Sequence, residues 1–201
     1  MCRAHDLARF YELLDLLEAR LGGKRTLSEV DGRSGWPRRG VYFFFEHGEE
    51  RRESGRGPRG VRVGTHALQT RSRRTLWNRL AQHRGTIRSG GGNHRGSIFR
   101  LLVGTAIKQR DGLHHVGSWG VKSDPGEAAR KLGMSREHLL NLEEPLEQMV
   151  SAYIRAMPFL WLPVEDEAGS DSLRALIEQN SIALLSNFSR HPLDPPNNSW
   201  L

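Results

Sequence analysis

Residues 40–50 read GVYFFFEHGEE and residues 60–68 read GVRVGTHAL. The first run puts five β-branched or aromatic residues in succession, a pattern that suits a half-buried pleated strand and that bounded helices rarely carry. The second run repeats the pattern on a smaller scale, and a glycine opens each. Between them lies EHGEERRESGRGPRG, charged and rich in glycine. Two strands joined this way predict a β-hairpin with a long, solvated connection. The rest of the chain has to cover it.

From Leu7 the apolar residues Leu7, Phe10, Tyr11, Leu14, Leu17 and Leu21 recur at helical spacing, and Gly22-Gly23 stops them. TLWNRLAQHR (75–84) predicts a short helix with Leu76, Trp77, Leu80 and Ala81 on one face. A glycine-rich loop, GTIRSGGGNHRG, leads into SIFRLLVGTAIKQR, whose length favours helix over strand. Further on, Leu146, Met149, Val150, Tyr153, Ile154 and Met157 give the series of a buried helix face. Pro158 ends it, and FLWLPVE reads as a third strand whose Pro163 marks an edge or a strand end. Ser170 or Asp171 is placed to cap a last helix over SLRALIEQNSIALLSNF. The tail SRHPLDPPNNSWL closes on apolar residues expected to be exposed, as in a chain that continues beyond Leu201. The plan is a small mixed α/β (α+β) fold. Its expected parts are an N-terminal helical extension (1–35), a main domain (36–190) with a helical insertion at about 96–156, and a tail (191–201).

Charge narrows the partner. Residues 51–100 hold 13 Arg, no Lys and one acid, Glu53, while the whole chain carries only +7, so the remainder is acidic. The planar guanidinium fork matches phosphate, and a local arginine excess of this size points to a polyanion, most simply nucleic acid. The exposed candidates are Arg71, Arg73, Arg74, Arg84, Arg88, His94 and Arg95. No apolar run reaches the length of a membrane helix. A single cysteine, Cys2, excludes an internal disulfide and a multi-cysteine metal site, and the expected compartment is the cytoplasm.

Four short motifs then fall in order: Gly40-Val41-Tyr42, Arg62-Val63-Gly64, Arg79 with His83 four residues on, and Glu178 late in the chain. In this order they resemble the GIY-YIG nuclease family over roughly residues 40–188. The resemblance implies a three-stranded antiparallel sheet flanked by helices, and hydrolysis of a DNA phosphodiester with Mg²⁺ or Mn²⁺. It further implies Tyr42 as general base toward the attacking water, Arg79 on the scissile phosphate, His83 as an assistant and Glu178 as the metal ligand. Arg62 departs from the pattern, standing where the second motif carries tyrosine.

The residues support the same chemistry on their own terms. Phosphodiester hydrolysis needs an activated water, and positive charge on the equatorial oxygens. Arg79 and His83 are one helical turn apart. Glu178 shares its helix side with Ile182 and Leu185, where a carboxylate calls for a cation, and a single carboxylate with water ligands suits Mg²⁺. A phenol has an awkward reference pKa of about 10, which a neighbouring cation lowers. Arg62 is the expected cation, with His66 and His83 as alternative partners for the proton.

Two other readings compete. EAARKLGMSREHLLNLEE (127–144) has the small-residue and leucine spacing of a helix-turn-helix, which makes a DNA-binding regulator without catalysis. Alternatively Arg62 marks a decayed nuclease fold that binds DNA without cutting it. SGGGNHRGS lacks the Gly-Lys-Ser/Thr of a nucleotide loop and reads either as a mobile segment settling on a nucleic-acid backbone or as ordinary surface. His114-His115 reads as surface.

Overall fold

The computed structural model describes residues 2–197. The chain divides into two compact units, one made of residues up to 79 together with those from 157 on, the other of residues 80–156. Residues 96–156 lie within the second unit, which begins earlier, at Leu80.

The first unit is built on a sheet of four antiparallel strands in the order β1-β4-β2-β3, where three were expected. The strands are β1 (Arg25–Thr26), β2 (Gly40–Glu50), β3 (Pro58–Gly64) and β4 (Pro158–Pro163). β1 is two residues long and pairs with the start of β4. It is too short to show any alternation, so no pattern announces it. Pro163 ends β4 opposite Gly40, a position where no ladder donor is needed.

Register sorts the side chains into two faces. Val41, Phe43, Phe45, Val63 and Leu160 turn toward helix α1 (Arg3–Leu21), whose Leu7, Tyr11 and Leu14 complete the core with residues of α6 (Leu173–Leu185). Gly22 closes α1 in the left-handed conformation, φ 72°, as its position after the last apolar residue requires. Ser172, rather than Ser170 or Asp171, caps α6: its Oγ accepts from the Ala175 N–H at 3.2 Å. The other face carries Tyr42 and Phe44, opposite Gly64 and Arg62 on β3. Trp161 and Phe159 on β4 lie across from the same two residues.

The hairpin connection is shorter than expected, though Arg52, Glu53, Gly55 and Arg56 on it are exposed. β2 continues through Glu50, with register shifts after Phe44 and Phe45, and only residues 51–57 remain between the strands. Glu49 is buried and ion-paired with Arg59 at 2.6 Å. Asp194, from the tail, accepts the backbone N–H groups of Arg52 and Glu53, both at 2.7 Å, and that of Ser54 at 3.2 Å. Burial would raise this carboxyl's pKa, but the four donors from residues 52–54, the Ser54 hydroxyl included, hold it below the usual range. The tail is therefore a clamp on the hairpin loop through Asp194; the expectation of exposed Trp200 and Leu201 lies outside the described residues.

The second unit holds α3 (Ile98–Arg110), α4 (Pro125–Leu132) and α5 (Arg136–Ala156). Its centre is Arg100, fully buried, donating from Nε to Glu147 Oε2 at 3.1 Å and from a terminal nitrogen to the His83 carbonyl at 2.8 Å. The glycine-rich loop wraps this side chain: a Cβ on Gly92 would overlap the guanidinium, and Gly91 O accepts from Ser151 Oγ at 3.1 Å. Gly92 thus serves close packing against Arg100, while Arg88, Ser89 and Asn93 of the same loop are exposed.

Helix-turn-helix geometry is present, with Gly133 left-handed at the end of α4 and Leu139 packed on Ala128 and Ala129. The second helix, however, exposes Glu137 and Glu144, while Glu143 and Glu147 are buried against Arg95, Arg100 and His94, so it offers phosphate no basic face. This pair packs within the second unit through Ala128, Ala129 and Leu139. His114 and His115 are exposed.

Candidate active site

Tyr42 is fully buried, 0% exposed, and lies directly over Gly64, its register partner. Glycine is obligatory there, since a Cβ on Gly64 would overlap the phenol, with Cε2 only 2.7 Å away. At Gly40 a Cβ would stand 2.5 Å from the Leu162 carbonyl oxygen, so the first motif's glycine lets β4 close against β2. Both glycines are thus explained by approach distance.

Helix α2 (Leu76–Arg84) supplies Arg79. Thr75 and Asn78 cap its start reciprocally, each side chain accepting the other's backbone N–H at 3.1 and 3.0 Å, and the Leu76 N–H donates to the Arg38 carbonyl at 2.9 Å. From this fixed start the Arg79 side chain reaches the Tyr42 hydroxyl and hydrogen-bonds it.

Glu178 comes from α6. Arg174, one turn earlier and wholly buried, anchors that helix: it pairs with Asp166, donates to the His66 carbonyl, and reaches the Glu167 carbonyl at 3.0 Å. Thr65 completes the join, its N–H donating to Glu178 Oε1 at 3.1 Å and its hydroxyl to the Gly40 carbonyl at 2.8 Å. Neither Arg174 nor Thr65 has a signal in the sequence, because each acts through contacts made far along the chain. Of the apolar neighbours expected for Glu178, Leu185 is partly buried but Ile182 is 44% exposed.

The electrostatics correct one expectation. Burial raises the Tyr42 pKa above its ordinary 10.0 and outweighs the cations; Arg79, then Arg62, pull it down, and Glu178 pushes it up. The leading cation is Arg79, and the phenol stays protonated at neutral pH. His66 is the other titratable group here. Burial, reinforced by the charges of Arg174, Arg39 and Arg79 and opposed by its bond to Arg38, lowers its pKa to about 4. Its Nε2 donates to the Arg38 carbonyl at 3.3 Å, which places the lone pair on Nδ1, a buried atom with no hydrogen-bond partner among the described residues.

His83 belongs to the second unit. It is 0% exposed, with Nδ1 2.8 Å from Ser97 Oγ and its ring edge-on to Phe99. Two of the expected nucleic-acid contacts are also inward-facing there. His94 donates from Nδ1 to Glu147 Oε1 at 2.9 Å, accepts the Gly120 N–H at 3.2 Å, and stacks on Trp119. Arg95 forms a bidentate pair with Glu143 at 2.5 and 2.7 Å. Both are taken by carboxylates 48 and 53 residues away, so they leave the basic surface. Arg71, Arg73, Arg74 and Arg88 are exposed and Arg84 partly so.

This division yields a measurable contrast. Arg73→Ala is expected to weaken DNA binding and to lower the salt slope by about 0.9 per lost phosphate contact, with thermal stability unchanged. Arg95→Ala is expected to strand Glu143 and destabilise the fold by about 3–5 kcal/mol, leaving the salt slope of the folded protein as it was. Equal salt slopes in Arg73→Ala and the wild type would remove Arg73 from the interface.

Among the described residues, no group of three or more His, Cys, Asp and Glu side chains is arranged to hold a metal ion, and the carboxylate acting on the Tyr42 hydroxyl is Glu178 alone. That is a donor set which Mg²⁺ accepts, because it retains most of its waters. No helix among the described residues is long and apolar enough to cross a membrane. The family model of the GIY-YIG domain matches residues 1–201, the whole chain. Comparison with curated proteins and with solved structures returns no match. The matched family is one of nucleases, generally endonucleases, acting on nucleic acid.

Proposed function

The chain belongs to the GIY-YIG domain family, and we propose that it is a divalent-metal-dependent endonuclease that hydrolyses DNA phosphodiesters. One observation supports this above the others: the Tyr42 hydroxyl is acted on together by Arg79, Arg62 and Glu178, side chains from three separate elements. A water activator, two cations and a carboxylate around one point are what the reaction needs.

In this reading Arg79 and Arg62 bind the non-bridging oxygens of the scissile phosphate and offset the charge that develops there. Tyr42 orients the attacking water and accepts its proton once its own has been lost. His66, lowered to about 4, is too weak a base to take the phenol proton, which is therefore lost to solution as the pH rises. Glu178, held by the Thr65 N–H, is the residue that would carry Mg²⁺ or Mn²⁺, which stabilises the leaving oxygen. His83 has a part through the resemblance alone.

The deciding assay is nicking of supercoiled DNA by the purified chain. Cleavage with Mg²⁺ that stops in EDTA separates an enzyme from a nuclease fold that only binds. Binding without cleavage under any divalent ion would leave a nuclease fold that only binds DNA.

The pH dependence follows from the direction of the Tyr42 shift. A base acts in its deprotonated form, and a pKa above 10 leaves that form scarce at neutral pH. The cleavage rate is therefore expected to rise about tenfold per pH unit from pH 7 to 9, without a plateau. Arg62→Leu removes a charge that favours the phenolate, so the profile is expected to move to higher pH. Cleavage that plateaus below pH 8 would exclude Tyr42 as the group whose ionisation limits the rate.

A further inference from the structure

Three of the five tryptophans meet on the Tyr42 face of the sheet. Trp36 stacks on Trp77, with centroids 5.2 Å apart and planes at 21°, and lies 4.9 Å from Trp161 at 55°. Phe159 forms the floor, 6.1 Å from Trp36 and 5.7 Å from Trp161. Trp161 is the register partner of Tyr42, so its indole leaves the sheet on the same face, one strand over from the phenol. Phe159 is fully buried, while all three indoles are partly exposed. Trp36 lies near-parallel to Phe159 as well as to Trp77, at 17° and 21°, and each of the three indole residues keeps part of its surface accessible.

Its frame is fixed and basic. Trp36 Nε1 donates to the Asp31 carbonyl at 2.6 Å, and Trp77 lies so close over Gly32 that a Cβ there would be 2.7 Å from the indole nitrogen. The segments that deliver these rings are GWPRR (35–39) and RSRRTLW (71–77). They are joined by the Leu76 N–H bond to the Arg38 carbonyl. Arg38, Arg73 and Arg74 on these two segments are exposed.

We propose that this surface is a stacking platform for an unpaired nucleobase, which makes the preferred substrate DNA with single-stranded or extruded bases beside the scissile bond. The proposal deepens the nuclease reading and rests on it. Within a duplex each base face is covered by its neighbours, so only an unstacked base can present a face to Trp36 or Trp161. Aromatic faces with arginines tracking the backbone are how single strands are held without readout of base edges. Rings held in place beforehand lose little entropy on binding. Aromatic surfaces also take proline-rich peptides, but the flanking arginines favour a polyanion.

The test uses the full chain in EDTA and follows its tryptophan fluorescence. It is titrated with an oligothymidylate of roughly 12 nucleotides, within the site sizes of such surfaces, and separately with a blunt hairpin duplex. The single strand is expected to quench the fluorescence. Trp161→Leu, which keeps an apolar strand residue, is expected to weaken that binding by about tenfold or more, with the salt slope and the duplex affinity unchanged. Trp161→Phe should recover part of the loss, which a purely structural role would not predict. Equal losses for both DNAs, no loss for either, or quenching by a proline-rich peptide but not by the oligonucleotide would each overturn the platform. Nicking of supercoiled DNA by the wild type with Mg²⁺ tests the nuclease reading independently of these results.

Discussion

Glu178→Gln is expected to remove metal-dependent cleavage while leaving the protein folded and able to bind DNA. The substitution is nearly isosteric, and the amide oxygen still accepts the Thr65 N–H that now bonds Oε1 at 3.1 Å. The α6 anchor is untouched, because Arg174 and its partners Asp166, His66 and Glu167 lie one turn away. What disappears is the negative charge. A neutral amide is a poor ligand for Mg²⁺, and the electrostatic help of a bound divalent ion amounts to several kcal/mol, so the rate should fall by about a thousandfold or more. Loss of one negative charge also makes the site more attractive to phosphate, so the affinity measured in EDTA should hold or tighten slightly. The measurement is a pair: nicking rates with Mg²⁺, and binding with thermal unfolding in EDTA. Wild-type rates in the variant would make Glu178 structural. A collapse in thermal stability would mean its charge is needed by the fold.

The same side chains show which parts of this molecule a sequence discloses. Helix α1 and strand β2 are legible because burial imposes a period on their apolar residues, and Gly22 and Gly40 stand at positions that only approach or chirality explains. Strand β1 is silent, since two residues have no period. β2 runs beyond its apolar part because Glu49, Arg59 and the Asn197 N–H satisfy one another. An ion pair buried in a strand reads as loop when only its letters are seen. Arginine counting misleads in the same way. It places thirteen positive charges in residues 51–100 but cannot tell Arg73, which is exposed, from Arg95 and Arg100, which find Glu143 and Glu147 on α5. The partner of a charge is a property of the tertiary fold. The Tyr42 shift is a further case: its two cations are visible in the motifs, whereas the burial that outweighs them is not.

Gly64→Ala is expected to be the most damaging single methyl that can be added to the first unit. The new Cβ would overlap the Tyr42 ring, which is completely enclosed between Gly64, Phe44 and the arginines that act on its hydroxyl. Neither side can yield easily. Gly64 is paired in the ladder with Tyr42 itself, and Thr65, the next residue, is tied to both Gly40 and Glu178. Overpacking of a close-packed site typically costs about 1–3 kcal/mol, and here relief requires the phenol to leave its position between Arg79 and Gly64. Stability and cleavage should therefore fall together. The origin of the effect is separable by a cycle. Tyr42→Phe leaves the overlap with the ring and should not rescue Gly64→Ala. Tyr42→Ala removes the ring, so the double variant Gly64→Ala/Tyr42→Ala should unfold at nearly the temperature of Tyr42→Ala alone, with cleavage still absent. The coupling between the two sites, read as the difference in unfolding free energy around the cycle, measures the contact that glycine permits. Additive effects, or a Gly64→Ala protein as stable and active as the wild type, would show that the tyrosine does not need this glycine, and that the second motif's glycine has another reason to be there.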